Sequence, residues 1–150
     1  MEWQRQADEL ERWRGRKPVE KGHDRRRCGE CLVLAVDEIR LCLPARKFRV
    51  RKYPMVTDVT ICRDVVLVTG SVRKEITYED CLGRCRTLVR HVPIDCCMKI
   101  PGARPGDRVT GAQMTIRCSQ DRLQKGGRII EEKMCVEISL TLERGHPWQG

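Results

Sequence analysis

Apolar and polar residues alternate along most of the chain after Cys31, and this period of two is the feature that most limits the fold. Successive side chains of a β-strand point to opposite faces, so the alternation predicts strands with one buried and one exposed face. The pattern is clearest over 128–142. The residues predicted to point inward there are Ile130, Met134, Val136, Ile138, Leu140 and Leu142.

Six further segments have a strand-like pattern, and they cover 31–43, 47–53, 56–62, 65–78, 87–100 and 108–118. Turns rich in glycine and proline separate several of them, for example PGARPGD at 101–107. Almost no helical periodicity follows residue 15. The sequence therefore predicts an all-β fold, an antiparallel β-sandwich of about seven or eight strands. Gly70 inside a predicted strand indicates a bulge or a close backbone approach.

The first thirty residues differ from the rest, which divides the chain into an N-terminal arm (1–30) and a single β-sandwich domain (31–150). Trp3, Ala7, Leu10 and Trp13 have an amphipathic helical spacing, which the glycines and the proline of 15–22 end. Exposed tryptophans favour association, so we expect Trp3 and Trp13 to anchor the arm on another subunit. The alternative is a disordered charged tail.

Ten cysteines in 150 residues are unusual for a chain that opens with a charged segment rather than the apolar run of a signal peptide. No segment has the roughly 18 apolar residues of a membrane span. We therefore expect synthesis in the cytosol and no membrane association. A chain of this length can bury an adequate core without disulfides. The thiols are thus expected to link chains or to bind a metal.

Strand parity predicts which way each cysteine points. Cys62, Cys97, Cys135 and, less directly, Cys42 are predicted to face outward, while Cys96 and Cys118 are predicted to be buried thiols. The candidates for intersubunit disulfides are Cys28, Cys31, Cys42, Cys62, Cys97 and Cys135. The pairing of the loop cysteines Cys81 and Cys85 stays open. The alternative is pairing within the chain, across neighbouring strands.

The sequence gives weaker support to zinc binding, nucleic-acid binding and catalysis. Cys28, Cys31, Cys81 and Cys85 form an alternative zinc set, but about 50 residues separate the two pairs, whereas compact zinc ribbons keep them closer. Thirty basic against 21 acidic residues give a net charge of +9, which permits nucleic-acid binding, yet the aromatics do not interleave with the basic runs. No phosphate-binding loop, paired-carboxylate signature or Cys–His pair is evident, so no enzymatic activity, metal or cofactor is expected.

Two stretches have the pattern of a known family: VTDVTICRDVVLVTGSVRKEITY (56–78) and RHVPIDCCMKIPGARPGDRV (90–109), followed by the long terminal strand. Through them the segment 55–142 resembles the SPOCS domain family of spore coat, exosporium and spore morphogenesis proteins. The resemblance implies a protein made in the mother-cell cytosol without a signal peptide and assembled on the spore surface. Such a protein meets an oxidising environment only after the mother cell lyses, which reconciles many cysteines with cytosolic synthesis.

Three functions follow as hypotheses. The first is a structural protein that self-assembles into a disulfide-cross-linked homopolymer of the coat, the exosporium or a spore-associated filament, with other coat proteins as further partners. The second is a zinc- or nucleic-acid-binding module that uses CGEC (28–31) and the basic surface. The third is a coat adaptor that does not polymerise. Sequence parity and composition do not decide between a sheet, a tube and a fibre.

Overall fold

The computed structural model describes residues 26–145, which form six long antiparallel strands. They are β1 (Arg26–Arg40), β2 (Ala45–Cys62), β3 (Val65–Asp80), β4 (Cys85–Lys99), β5 (Arg108–Leu123) and β6 (Ile129–Glu143). The strands make two three-stranded sheets, sheet A with the order β1-β6-β5 and sheet B with the order β2-β3-β4. The all-β prediction is confirmed, and the two sheets form a sandwich.

The predicted number of strands was too high, because the segments 47–53 and 56–62 are one strand. Pro54 lies between them, and it fits inside β2 because β2 is an edge strand of sheet B, where a residue without an N–H is tolerated. The first strand, β1, begins at Arg26, earlier in the chain than the predicted start at Cys31. Residues 26–30, assigned to the arm from the sequence, therefore form the start of a strand.

The two sheets stack so that β4 lies beside β1 and β2 lies beside β5. Every loop falls at one of two ends of the sandwich. The lower end carries the loops 41–44, 81–84 and 124–128, and the amide of Ala45 donates to the carbonyl of Gly127 there (2.7 Å). The upper end carries the loops 63–64 and 100–107, together with the start of β1 and the end of β6.

β-bulges change the direction of side chains within two of the strands. In β2 the pairing with β3 shifts between Val56 and Asp58, opposite Gly70. A Cβ on Gly70 would stand 2.5 Å from the carbonyl oxygen of Met55, so only glycine fits beside this bulge. The predicted bulge or close approach at Gly70 is thus confirmed. In β5 the pairing with β6 shifts between Ile116 and Cys118.

The interior has two apolar clusters with a layer of charge between them. The larger cluster lies toward the upper end and includes Val68, Val72, Ile94 and Val136; the smaller lies toward the lower end and includes Ile76. The layer between them is one row of cations from sheet B facing one row of anions from sheet A. The cations are Lys52, Lys74 and Arg90, in register on β2, β3 and β4. The anions are Asp121, Glu132 and Asp37, in register on β5, β6 and β1.

Each cation of this charged layer meets the anion of the strand stacked on its own strand. At one edge Lys52 Nζ lies 2.7 Å from Asp121 Oδ1, and at the other Arg90 donates two hydrogen bonds to Asp37 (2.8 and 3.0 Å). In the centre Lys74 is ion-paired with Glu132. Charges buried in an interior are costly unless paired, so the layer favours this one alignment of the two sheets.

Candidate functional site: the cysteine framework

One disulfide joins the two sheets. Cys31 on β1 is bonded to Cys96 on β4, with their Cα atoms 6.7 Å apart. Both residues lie on inner faces, opposite Ile138 and Val68 respectively. Cys96 is buried, as strand parity predicted, but in a disulfide rather than as a free thiol. Cys31 was predicted to bond another subunit. It bonds within the chain because β1 stacks on β4, which brings the two cysteines into range.

A second disulfide joins neighbouring strands of sheet A. Cys118 on β5 is bonded to Cys135 on β6, and the two residues are direct partners in the strand pairing. Cys118 was predicted to point inward, but the bulge after Ile116 reverses the parity and turns Cys118 to the outer face, where it is half-buried. Cys135 lies on the outer face of sheet A, as predicted. It is nevertheless buried, because β6 is the central strand of the sheet and Cys118 covers it.

All ten cysteines fall within residues 26–145, and the six that are not in disulfides divide into two groups of three. The upper thiols, at the upper end of the sandwich, are Cys28, Cys62 and Cys97. Cys62 and Cys97 are exposed, as predicted, and both lie on the outer face of sheet B. Cys28 is half-buried on the outer face of sheet A, next to Thr141.

The lower thiols, at the opposite end, are Cys42, Cys81 and Cys85. Cys42 lies exposed in the loop after β1, and its predicted outward position is confirmed. Cys81 and Cys85 flank the turn between β3 and β4; Cys81 is half-buried and Cys85 is exposed. Cys85 also borders a shallow groove of about 260 Å³, lined further by Lys47, Arg49 and Glu79.

A buried carboxylate fixes the turn that carries two of the lower thiols. Arg86 Nε donates to Asp80 Oδ2 (2.8 Å), and the backbone amides of Arg84 and Leu82 donate to Asp80 Oδ1 (3.0 and 2.9 Å). These hydrogen bonds, that of Arg86 foremost, hold the pKa of Asp80 below its usual range. The turn is therefore built around an ionised Asp80.

The alternative zinc set is not brought together. Cys31 is held in the disulfide with Cys96, so it is not available as a thiolate ligand. Cys85 stands eleven residues from Cys96 along β4, a separation of roughly 36 Å for an extended strand, so the lower pair lies far from the upper pair. No cluster of three or more potential metal ligands occurs within residues 26–145. The assembly anchors Trp3 and Trp13 lie outside the described residues.

Comparison with protein families gives a match for part of the chain. Residues 48–118 match the family model described as SipL, SPOCS domain. The chain carries a SPOCS-family segment. The match confirms the resemblance seen in the sequence and covers β2 to β4 with the first part of β5. No curated protein and no solved structure matches the chain.

The match relates residues 48–118 to a sporulation-related domain family. The matched segment contains β3, β4 and nearly all of β2 from sheet B, but only the first part of β5 from sheet A. β1 and β6, which complete the sandwich and its two disulfides, lie outside it. Between residues 26 and 145, no helix is long and apolar enough to cross a membrane.

The charged layer is the feature that sequence reasoning missed. Lys74 stands between Val72 and Ile76 at an inward position of β3, and Glu132 stands between Ile130 and Met134 at an inward position of β6. A charged residue at an inward parity position was a readable signal in both strands. Which cation would meet which anion was not readable, because that depends on how the sheets stack.

Proposed function

We propose that copies of this protein join end to end through intermolecular disulfides and so build a covalent polymer of the spore surface. The observation that carries the proposal is the division of the six free thiols into the upper and the lower thiols. Thiols needed only inside the domain would have no reason to collect at its two extremities. Coat, exosporium and spore-associated filament are the locations that the sporulation-related segment favours.

The size of the domain supports bonds between copies rather than within one. An 18-residue strand such as β2 spans roughly 60 Å, far beyond the Cα separation of about 4.4–6.8 Å that a disulfide needs. An upper thiol can therefore bond a lower thiol only in another copy. A contact between two different surfaces leaves one unused surface on each end copy, so further copies can add and produce an open chain, or a ring if the rotation between copies closes, rather than a two-fold dimer.

The two intrachain disulfides suit such a polymer. They fasten sheet A to sheet B and β5 to β6, so the domain keeps its shape while tension or heat acts on the links at its ends. The partner is thus a second copy of the chain, other coat proteins being further candidates. The proposed role requires no catalysis, cofactor or metal. Formation of the links after mother-cell lysis would match the change from reducing to oxidising surroundings.

Two triple variants test the proposal. The upper-blocked variant carries Cys28→Ser, Cys62→Ser and Cys97→Ser, and the lower-blocked variant carries the same change at Cys42, Cys81 and Cys85. After oxidation and boiling in detergent without reductant, the wild type is expected to run as a ladder that reductant collapses to monomer. Each variant alone is expected to stay monomeric, and an equal mixture of the two is expected to give covalent dimers.

The mixture serves as the matched control, because it restores one upper and one lower surface without changing the number of thiols in either chain. Covalent dimers formed by one variant alone would show contacts between like ends and would contradict the head-to-tail arrangement. A ladder from either variant alone would show that polymerisation does not need both sets of thiols, and it would contradict the proposal as well.

A further inference from the structure

A lysine and a glutamate lie in direct contact in the centre of the sandwich, shielded from water. Lys74 is 1% exposed and Glu132 is 0% exposed. Lys74 belongs to β3, the central strand of sheet B, and Glu132 to β6, the central strand of sheet A. Glu132 Oε2 is ion-paired with Lys74 Nζ, whereas Glu132 Oε1 has no hydrogen-bond partner among residues 26–145. We propose that Lys74 and Glu132 condense into an intramolecular isopeptide bond that links the two sheets.

Burial favours the uncharged form of the Glu132 carboxyl group. Burial is the largest effect and raises the pKa of Glu132; the negative charge of Asp121 also raises it, while Lys74 and the positive charge of Lys52 lower it. Transfer of one proton from the ammonium to the carboxylate leaves an amine beside a carboxylic acid, which needs less solvation than two buried ions. An amine and a carboxylic acid are the reactants of amide formation.

A third group is placed to move the proton. Asp37 Oδ2 lies 3.8 Å from Lys74 Nζ, and two hydrogen bonds from Arg90 fix the orientation of the Asp37 carboxylate. Asp37 is the register partner of Glu132 on the neighbouring strand, so it flanks both the amine and the acid. The three side chains come from β1, β3 and β6, and only the folded sandwich brings them together.

The condensation balances without a co-reactant. The Nζ lone pair of Lys74 attacks Cδ of Glu132, forming the Nζ–Cδ bond. Asp37 takes one proton from the nitrogen and passes it to the departing hydroxyl, the Cδ–O bond breaks, and one water leaves. Fixed alignment in the interior replaces the activation that free acids and amines require, and well-oriented intramolecular pairs reach effective concentrations of about 10⁵–10⁸ M.

The exposed pair Lys47–Glu79 has the same chemical groups and provides an internal control. Lys47 Nζ lies 3.2 Å from Glu79 Oε2, but the Lys47 side chain is 79% exposed, so water solvates both ions and stabilises them as charges. If proximity were sufficient for the reaction, both the exposed and the buried Lys–Glu pair would be linked. Proximity combined with burial and a flanking carboxylate would link only Lys74 and Glu132.

Mass spectrometry of the full chain, reduced and alkylated, tests the inference. We expect most molecules to be lighter than the sequence requires by one water, and a digest to contain a branched peptide that joins Lys74 to Glu132. Lys47 and Glu79 are expected in linear peptides of the same digest. A chain of full mass with Lys74 and Glu132 in linear peptides would overturn the inference, and so would a branch that ends at Asp37.

Variants separate the roles of the three groups. Lys74→Arg keeps a cation opposite Glu132 but supplies no neutral amine, so this variant is expected to have the full mass. Asp37→Asn keeps the shape of the proton carrier and removes its basicity, and its branched peptide is expected at a clearly reduced yield. Loss of one water in Lys74→Arg would contradict the assignment. The mass of the wild-type chain decides the question even if a variant does not fold.

Discussion

The disulfide between the sheets is expected to contribute more to stability than the disulfide within sheet A, because it closes the longer loop. The bond between Cys31 and Cys96 spans 65 residues, and the bond between Cys118 and Cys135 spans 17. The entropy of the unfolded chain removed by a cross-link grows with the logarithm of loop length, which gives about 4 kcal/mol for the longer loop and about 3 kcal/mol for the shorter one.

The perturbation is a pair of matched double variants, Cys31→Ala with Cys96→Ala and Cys118→Ala with Cys135→Ala. Both are made in a chain whose six free cysteines are serine, so that neither thiol exchange nor polymerisation interferes. Single domains have free energies of unfolding of about 5–15 kcal/mol, so a loss of either disulfide is a large fraction of the total. Each variant removes the same atoms, and the difference between them therefore measures the effect of loop length.

The assay is equilibrium unfolding in urea, followed by the far-ultraviolet circular dichroism of the β-sheet, with the free energy extrapolated to zero urea. We expect the Cys31/Cys96 variant to lose about 4 kcal/mol and the Cys118/Cys135 variant about 1 kcal/mol less than that. A loss below about 1 kcal/mol for Cys31/Cys96, or a larger loss for Cys118/Cys135, would refute the loop-length reasoning.

Two further predictions concern the lower end and the arm. The hydrogen bond from Arg86 holds the folded-state pKa of Asp80 below its ordinary value, so the stability that Asp80 contributes is present above that ordinary value and is lost as the pH falls through the folded pKa. Asp80→Asn is expected to be less stable than the wild type near pH 7 and to lose less stability on acidification, and an unchanged acid-unfolding profile would disprove this. Removal of residues 1–25, which leaves β1 intact, is expected to preserve the circular dichroism of the domain but to reduce assembly, as measured by light scattering; unchanged assembly would exclude Trp3 and Trp13 as anchors.

The alternation of side chains determined most of the secondary structure, because it is a local property of the sequence. It predicted strands over all six segments that form them, and it placed Cys62, Cys96 and Cys97 on the faces that they occupy. The distribution of the free thiols between the two ends of the sandwich also follows from the sequence once consecutive strands are known to run in opposite directions. The SPOCS resemblance likewise rested on residues that can be read without a structure.

Only the tertiary structure decided which residues face each other. A single bulge after Ile116 turned Cys118 toward Cys135, and no local sequence pattern in β5 predicts this bulge of one residue. The stacking of β1 on β4 paired Cys31 with Cys96, and the stacking of the two central strands placed Lys74 on Glu132. Parity fixes the face of a strand on which a side chain lies. The partner across the interior depends on how two sheets align, and that alignment is a property of the whole packed core.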